Sequence, residues 1–115
     1  MLRKYENLVE QLRSATMNNN LPWLKTSRPN EYEAAIGDNS VSLKYHPKGS
    51  GMENSEEFVS LILWDRFGDK ADELKLVNSS SDYLSLYSLY ESVRASSTRS
   101  EITLDEILAD ISKIS

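Results

Sequence analysis

His46 is the only histidine in the chain, and histidine is the side chain whose ordinary pKa lies nearest neutrality. It ends an alternating run, Val41 to His46, beside Pro47. A general base needs an orienting carboxylate and a nucleophile within hydrogen-bond reach. A hairpin would bring Glu31, Glu33 and Ser42 toward it, but hydroxyls are frequent here and such proximity is cheap. A surface histidine without a catalytic role is the stronger reading. Lys48-Gly49-Ser50-Gly51 superficially suggests phosphate binding. A phosphate loop, however, needs its lysine after the glycines and a helix behind it, because the helix N-terminus supplies the anion site. Here the lysine comes first and a strand follows, so the segment reads as a mobile hairpin loop. Asp65, Asp69, Asp72 and Glu73 gather around a turn, yet Phe67 and the early Gly68 break the calcium-loop pattern. A solvated turn remains. The residues therefore nominate no catalytic group, no cofactor and no metal site.

Composition narrows the classes further. The chain has 115 residues, 39% of them apolar, enough for one domain over 1–115 that folds without metal or disulfide staples. The absence of cysteine excludes a disulfide scaffold, a Cys-ligated zinc site, an iron–sulfur cluster and a thiolate nucleophile. No apolar run approaches the roughly 18–20 residues of a membrane span or resembles a signal peptide, so a cytoplasmic protein with no membrane partner is expected. The net charge of −5 argues against a surface built mainly for phosphate backbones. It is also uneven. Residues 1–48 carry seven basic and five acidic side chains, and residues 49–115 carry six and thirteen.

The elements that would position these groups follow from periodicity. Leu2, Tyr5, Leu8, Val9 and Leu12 recur at intervals of three and four, which predicts a helix to about Thr16, stopped by Asn18-Asn19-Asn20. Leu21 to Ser27 is extended in character. Glu31–Ile36 and Val41–His46 alternate on either side of Gly37-Asp38-Asn39, the pattern of a β-hairpin. Phe58–Trp64 is the most apolar strand, and Leu74–Val77 is a short closing strand. Ser81 or Asp82 can cap a helix with Tyr83, Leu86, Tyr87, Leu89, Tyr90 and Val93 on its apolar side. Ser96–Ser100 is expected to break it. Thr103 and Glu106 have capping-box spacing, with Ile102 and Ile107 as a staple, so a last helix would start there, with Leu104, Ile107, Leu108, Ile111 and Ile114 as its apolar face. The order predicts an α+β fold. An antiparallel meander of three to five strands would carry the N-terminal helix and two C-terminal helices mainly on one face.

The residues Trp23, Thr26, Asn30-Glu31-Tyr32 and Ile36-Gly37, then Trp64-Asp65-x-x-Gly68, Leu89-Tyr90, Arg94 and Leu104 to Leu108 resemble a group of small uncharacterised bacterial α+β proteins with this element order. The likeness covers most of the chain and rests on apolar, aromatic and turn positions. It implies a bacterial cytoplasmic protein and transfers no activity.

A sheet covered on one face leaves the other open. Glu31, Glu33, Lys44 and His46 would share that face with Phe58, Ile62 and Trp64, and Trp23 is a further candidate anchor. Tryptophan and tyrosine are enriched at interface anchors. The expected function is a non-enzymatic protein-interaction module, such as an adaptor, inhibitor or antitoxin-like regulator, meeting a protein partner or a second copy of itself. The alternative is single-stranded nucleic-acid binding through the sheet, with Trp23, Tyr32 and Tyr45 as stacking platforms beside Lys25, Arg28, Lys44 and Lys48.

Overall fold

The computed structural model describes residues 3–48 and 56–114, the side chains of 100–103 excepted. Leu2 and most of the loop expected around Gly49–Gly51 lie outside the described residues. The elements are α1 (Arg3–Met17), β1 (Leu24–Lys25), β2 (Glu31–Ile36), β3 (Asn39–His46), β4 (Phe58–Trp64), β5 (Lys70–Val77) and α2 (Tyr83–Ile114). The strands form one antiparallel sheet in the order β1-β2-β3-β4-β5, a meander. Both helices pack on one face of it, which gives the α+β architecture expected.

Turn chemistry sets the register. Ile36 pairs with Asn39, so the β2–β3 loop is Gly37-Asp38, and Gly37 at φ 63° supplies the positive dihedral that the first centre of a type II′ turn requires. Between β4 and β5 the Asp65 carboxylate accepts the backbone N–H groups of Phe67 and Asp69 at 2.9 and 3.0 Å. Gly68 takes φ 85° there. With the register fixed, Tyr32, Leu43, Leu61 and Leu74 form one row across four strands, and Ala34, Val41 and Leu63 the next. β5 begins at Lys70, four residues earlier than its apolar pattern suggests, because the ladder with β4 extends past the apolar positions. Its charged Lys70, Asp72, Glu73 and Lys75 suit a sheet edge.

The core forms where α2 lies across β3 and β4. Leu43, Val59, Leu61, Leu86, Leu89 and Val93 have no solvent exposure, and burying a side chain of this size contributes about 1.5–3 kcal/mol. The helix starts where expected. Tyr83 donates its hydroxyl to Glu57; burial, reinforced by that carboxylate, raises its pKa. Tyr87 and Tyr90 meet the Tyr45 ring at centroid distances of 5.5 and 5.2 Å. α1 adds Val9 and Leu12 to the core, and its last turn is tied down by Thr16. The Thr16 hydroxyl donates to Leu12 O at 2.6 Å and accepts from Trp23 Nε1 at 2.9 Å.

The two expected C-terminal helices are joined. The chain stays helical from Tyr83 to Ile114, so Ser96–Ser100 does not break it and the Thr103–Glu106 spacing caps no helix start. Serine lowers helix propensity by only about 0.5 kcal/mol, and no glycine or proline interrupts the segment. Ser92 returns its hydroxyl to Ser88 O at 3.1 Å, and Arg94 pairs with Glu91 at 2.6 Å.

Two measurements probe this packing. Leu61→Ala and Leu89→Ala should each lose about 2–5 kcal/mol of unfolding free energy in urea; a loss under about 1 kcal/mol at both would contradict the core as described. At the sheet edge Tyr5 donates its hydroxyl to Asp72. Burial, then the Asp72 bond, pushes the Tyr5 phenol up to about 12, and the Tyr5 bond lowers the Asp72 carboxyl. Asp72 therefore contributes above the ordinary carboxylate range and loses its contribution as pH falls through its lowered value. Tyr5 contributes below the ordinary phenol pKa of about 10 and loses that contribution as pH rises through about 12. Tyr5→Phe should be less stable than wild type at neutral pH, with the gap narrowing in strong acid and in strong base. A gap independent of pH would rule out this linkage.

Candidate functional site

Alternation sends every second residue of the strands to the face away from the helices. The ladders align Glu31, Lys44, Ser60 and Lys75 in one row, Glu33, Ser42, Ile62 and Glu73 in the next, and Ser40, Trp64 and Lys70 beyond them. His46 pairs with Phe58 at the far end. Seven sequence-nominated residues, Glu31, Glu33, Lys44, His46, Phe58, Ile62 and Trp64, thus share this open face. Trp23 does not join them. It is 4% exposed, held in the core on the helix side by its bond to Thr16. A tryptophan between a helix and a sheet edge is consumed by packing once its N–H finds a partner.

The far end of the face is satisfied within itself. The His46 ring stacks on Phe58 at 4.7 Å, and Lys75 Nζ sits 4.1 Å from the centroid of that same ring. At the β5 edge, in the rows of Ile62 and Trp64, Lys70 pairs with Glu73 at 2.8 Å, and this bond is the main reason the Glu73 carboxyl is lowered.

The near end is different. Arg28, Glu31, Glu33, Ser40, Ser42 and Trp64 line a recess of about 360 Å³. The Trp64 indole N–H donates to Ser42 Oγ at 2.8 Å, which fixes the indole as one wall. Glu31 forms the floor. Its side chain is only 9% exposed, and its Oε2 has no hydrogen-bond partner. A buried carboxylate oxygen without a donor is costly. The Arg28 Nε lies 3.9 Å from Oε2, and the Arg28 side chain is 74% exposed. Direct ion-paired hydrogen bonds are nearer 2.7–2.9 Å, so Arg28 covers the carboxylate without bonding it.

The local chain explains this placement. Asn30 adopts φ 56°, the left-handed conformation asparagine tolerates. Thr26 N donates to Glu31 O at 3.1 Å, and Arg28 N donates to Thr26 Oγ1 at 3.2 Å. The Thr26–Glu31 turn therefore folds Arg28 back over the residue three positions on. Arg28-Pro29-Asn30 reads in the sequence as a break, and only the closed turn gives it a role beside Glu31.

His46 is stacked at the end of the face away from the recess, and among the described residues no three His, Asp or Glu side chains converge as metal ligands. Tyr32 is 6% exposed and packs against Tyr90 on the helix side, as Tyr45 does. With Trp23, these are the three rings that single-strand stacking would require. Among the described residues no helix is long and apolar enough to cross a membrane.

A second feature was legible only as core. Leu104, Ile107, Leu108, Ile111 and Ile114, expected to be a packed helix face, are 51–85% exposed. The first half of α2 already fills the sheet, and the described side chains from 104 to 114 are all exposed.

No family model, curated protein or solved structure matches the chain.

If Glu31 is held for a ligand rather than for the fold, neutralising it should not weaken the protein. Glu31→Gln should leave the unfolding free energy unchanged or raise it by up to about 1 kcal/mol. A loss of more than about 1 kcal/mol in urea titrations would assign the carboxylate to stability.

Proposed function

We propose that the protein is a non-enzymatic interaction module that meets a protein partner with the open face of its sheet, taking a basic side chain of that partner into the Glu31 recess. The observation that carries this reading is the Oε2 of Glu31, which accepts no hydrogen bond, in a recess walled by Trp64. An arriving lysine or arginine would supply the missing donor. Glu33 adds a second carboxylate at the rim, and the Trp64 wall adds apolar contact for the aliphatic stem. Arg28 is the resident cation, and its exposed side chain can swing outward when a better-placed one arrives. Phe58 and Ile62 extend the face beyond the recess and would contribute contact area rather than selectivity.

A displayed library of random peptides, selected on the protein at moderate salt, tests this directly. Enriched sequences should share a lysine or arginine. The best of them should bind Glu31→Gln at least tenfold more weakly than wild type, and Arg28→Ala no more weakly. Enrichment without a basic residue, or binding indifferent to Glu31→Gln, would remove the support for this reading.

A further inference from the structure

The second half of α2 carries an inference that uses none of the sheet-face residues. α2 is 32 residues long, about 48 Å at 1.5 Å per residue. Its first half is anchored: Leu86, Leu89, Tyr90 and Val93 are at most 3% exposed, and Ser97 is 6% exposed. Residues 104–114 are all exposed.

The two halves present the same face. Leu104, Ile107, Leu108 and Ile111 stand eighteen residues beyond Leu86, Leu89, Tyr90 and Val93, position for position. Eighteen residues are about five turns of 3.6, so the later set projects in the direction of the earlier one. The first set receives the sheet; the second overhangs it. Asp105, Glu106, Asp110 and Lys113 lie off this stripe, which contains only Leu and Ile.

We propose that the exposed half of α2 pairs antiparallel with the same segment of a second copy of this chain. Three observations select this occupant. The stripe has no charged member that would demand a complementary foreign surface, and a purely apolar stripe is complementary to itself. The five side chains expose about 500 Å² per chain, so a symmetric pair would remove at most about 1,000 Å² from water through them, the size of a weak, concentration-dependent interface. The open sheet face is a poorer match, since Glu31, Glu33, Lys44 and Lys75 interrupt its apolar groups.

Direction follows from the shared face. A parallel partner helix, laid on the stripe and continued toward its own N-terminus, would run into the sheet that occupies that side of the first half of α2. An antiparallel partner runs the other way, past the Ile114 end, and leaves each sheet on its own side. In that arrangement Leu104 meets the second copy's Ile114, and Ile107 meets its Ile111.

Sedimentation of the full chain between about 1 and 200 µM should show a monomer–dimer equilibrium that shifts with dilution. Ile107→Asp combined with Ile111→Asp should abolish the dimer while the urea midpoint of the monomer is retained, because neither side chain is packed in the domain. A wild-type chain that stays monomeric throughout, or a double variant that still dimerises, overturns the proposal; the first result would leave the stripe to a foreign partner. The cysteine-free sequence permits a direct test of direction. Leu104→Cys and Ile114→Cys proteins should form a disulfide with each other when mixed under oxidising conditions. Rapid cross-linking of Leu104→Cys to itself, without the mixed product, would overturn the antiparallel arrangement. The peptide selection on the Glu31 recess is read separately, so either result can fail alone.

Discussion

The contact between the first half of α2 and the β3–β4 pair is the constraint on which the other features depend. A meander of short strands has one apolar face only if its alternation is kept in phase through every turn, and that face is stable only when something covers it. Leu86, Leu89 and Val93 close over Leu43, Val59 and Leu61 with no solvent left between them. α1 then occupies the space beside α2 and fastens its last turn through Thr16 and Trp23. The aromatic rings were drawn into this layer as well. Tyr32, Tyr45, Tyr83, Tyr87 and Tyr90 form a ring cluster between helix and sheet, with hydroxyls directed to carboxylates such as Glu57.

Once the helices take one face, the residues left for the other are set by parity. Glu31 and Glu33 reach the open face because Tyr32 and Ala34 are needed in the core, and Ser42 and Lys44 because Val41, Leu43 and Tyr45 are. Part of this face is satisfied locally, by the Lys70–Glu73 pair and by Lys75 and His46 against the Phe58 ring. The recess at Glu31 stands out because, among the described residues, it holds the buried side-chain atom that accepts no hydrogen bond.

How much of this can be read from the sequence depends on the range of the cause. Strand alternation, the Gly37 turn and the start of α2 are local, and they were legible. So was the membership of the open face, because parity within one strand and a hairpin register fix it. Trp23 was misplaced because an isolated aromatic outside a long periodic segment carries no facing information; its burial comes from Thr16, seven residues away and in another element. Arg28 was read only as one of the basic residues of the nucleic-acid alternative, for a related reason: its proximity to Glu31 exists only in the closed turn. The break expected at Ser96–Ser100 came from treating serine as punctuation. Its modest helix cost is outweighed when helical sequence lies on both sides and no residue forbids the conformation.

That uninterrupted helix has a consequence for which changes the chain can accept. The apolar sets on its two halves agree in direction only because the count of residues between them is a near-whole number of turns. Of the described side chains between Val93 and Leu104 only Ser97 is buried, so positions such as Ala95 and Thr98 could accept many different residues. Deleting or inserting a single one would turn everything downstream by about 100° while leaving the domain intact. On the proposed pairing of two copies the segment is strict in length, and related chains should conserve the number of residues there.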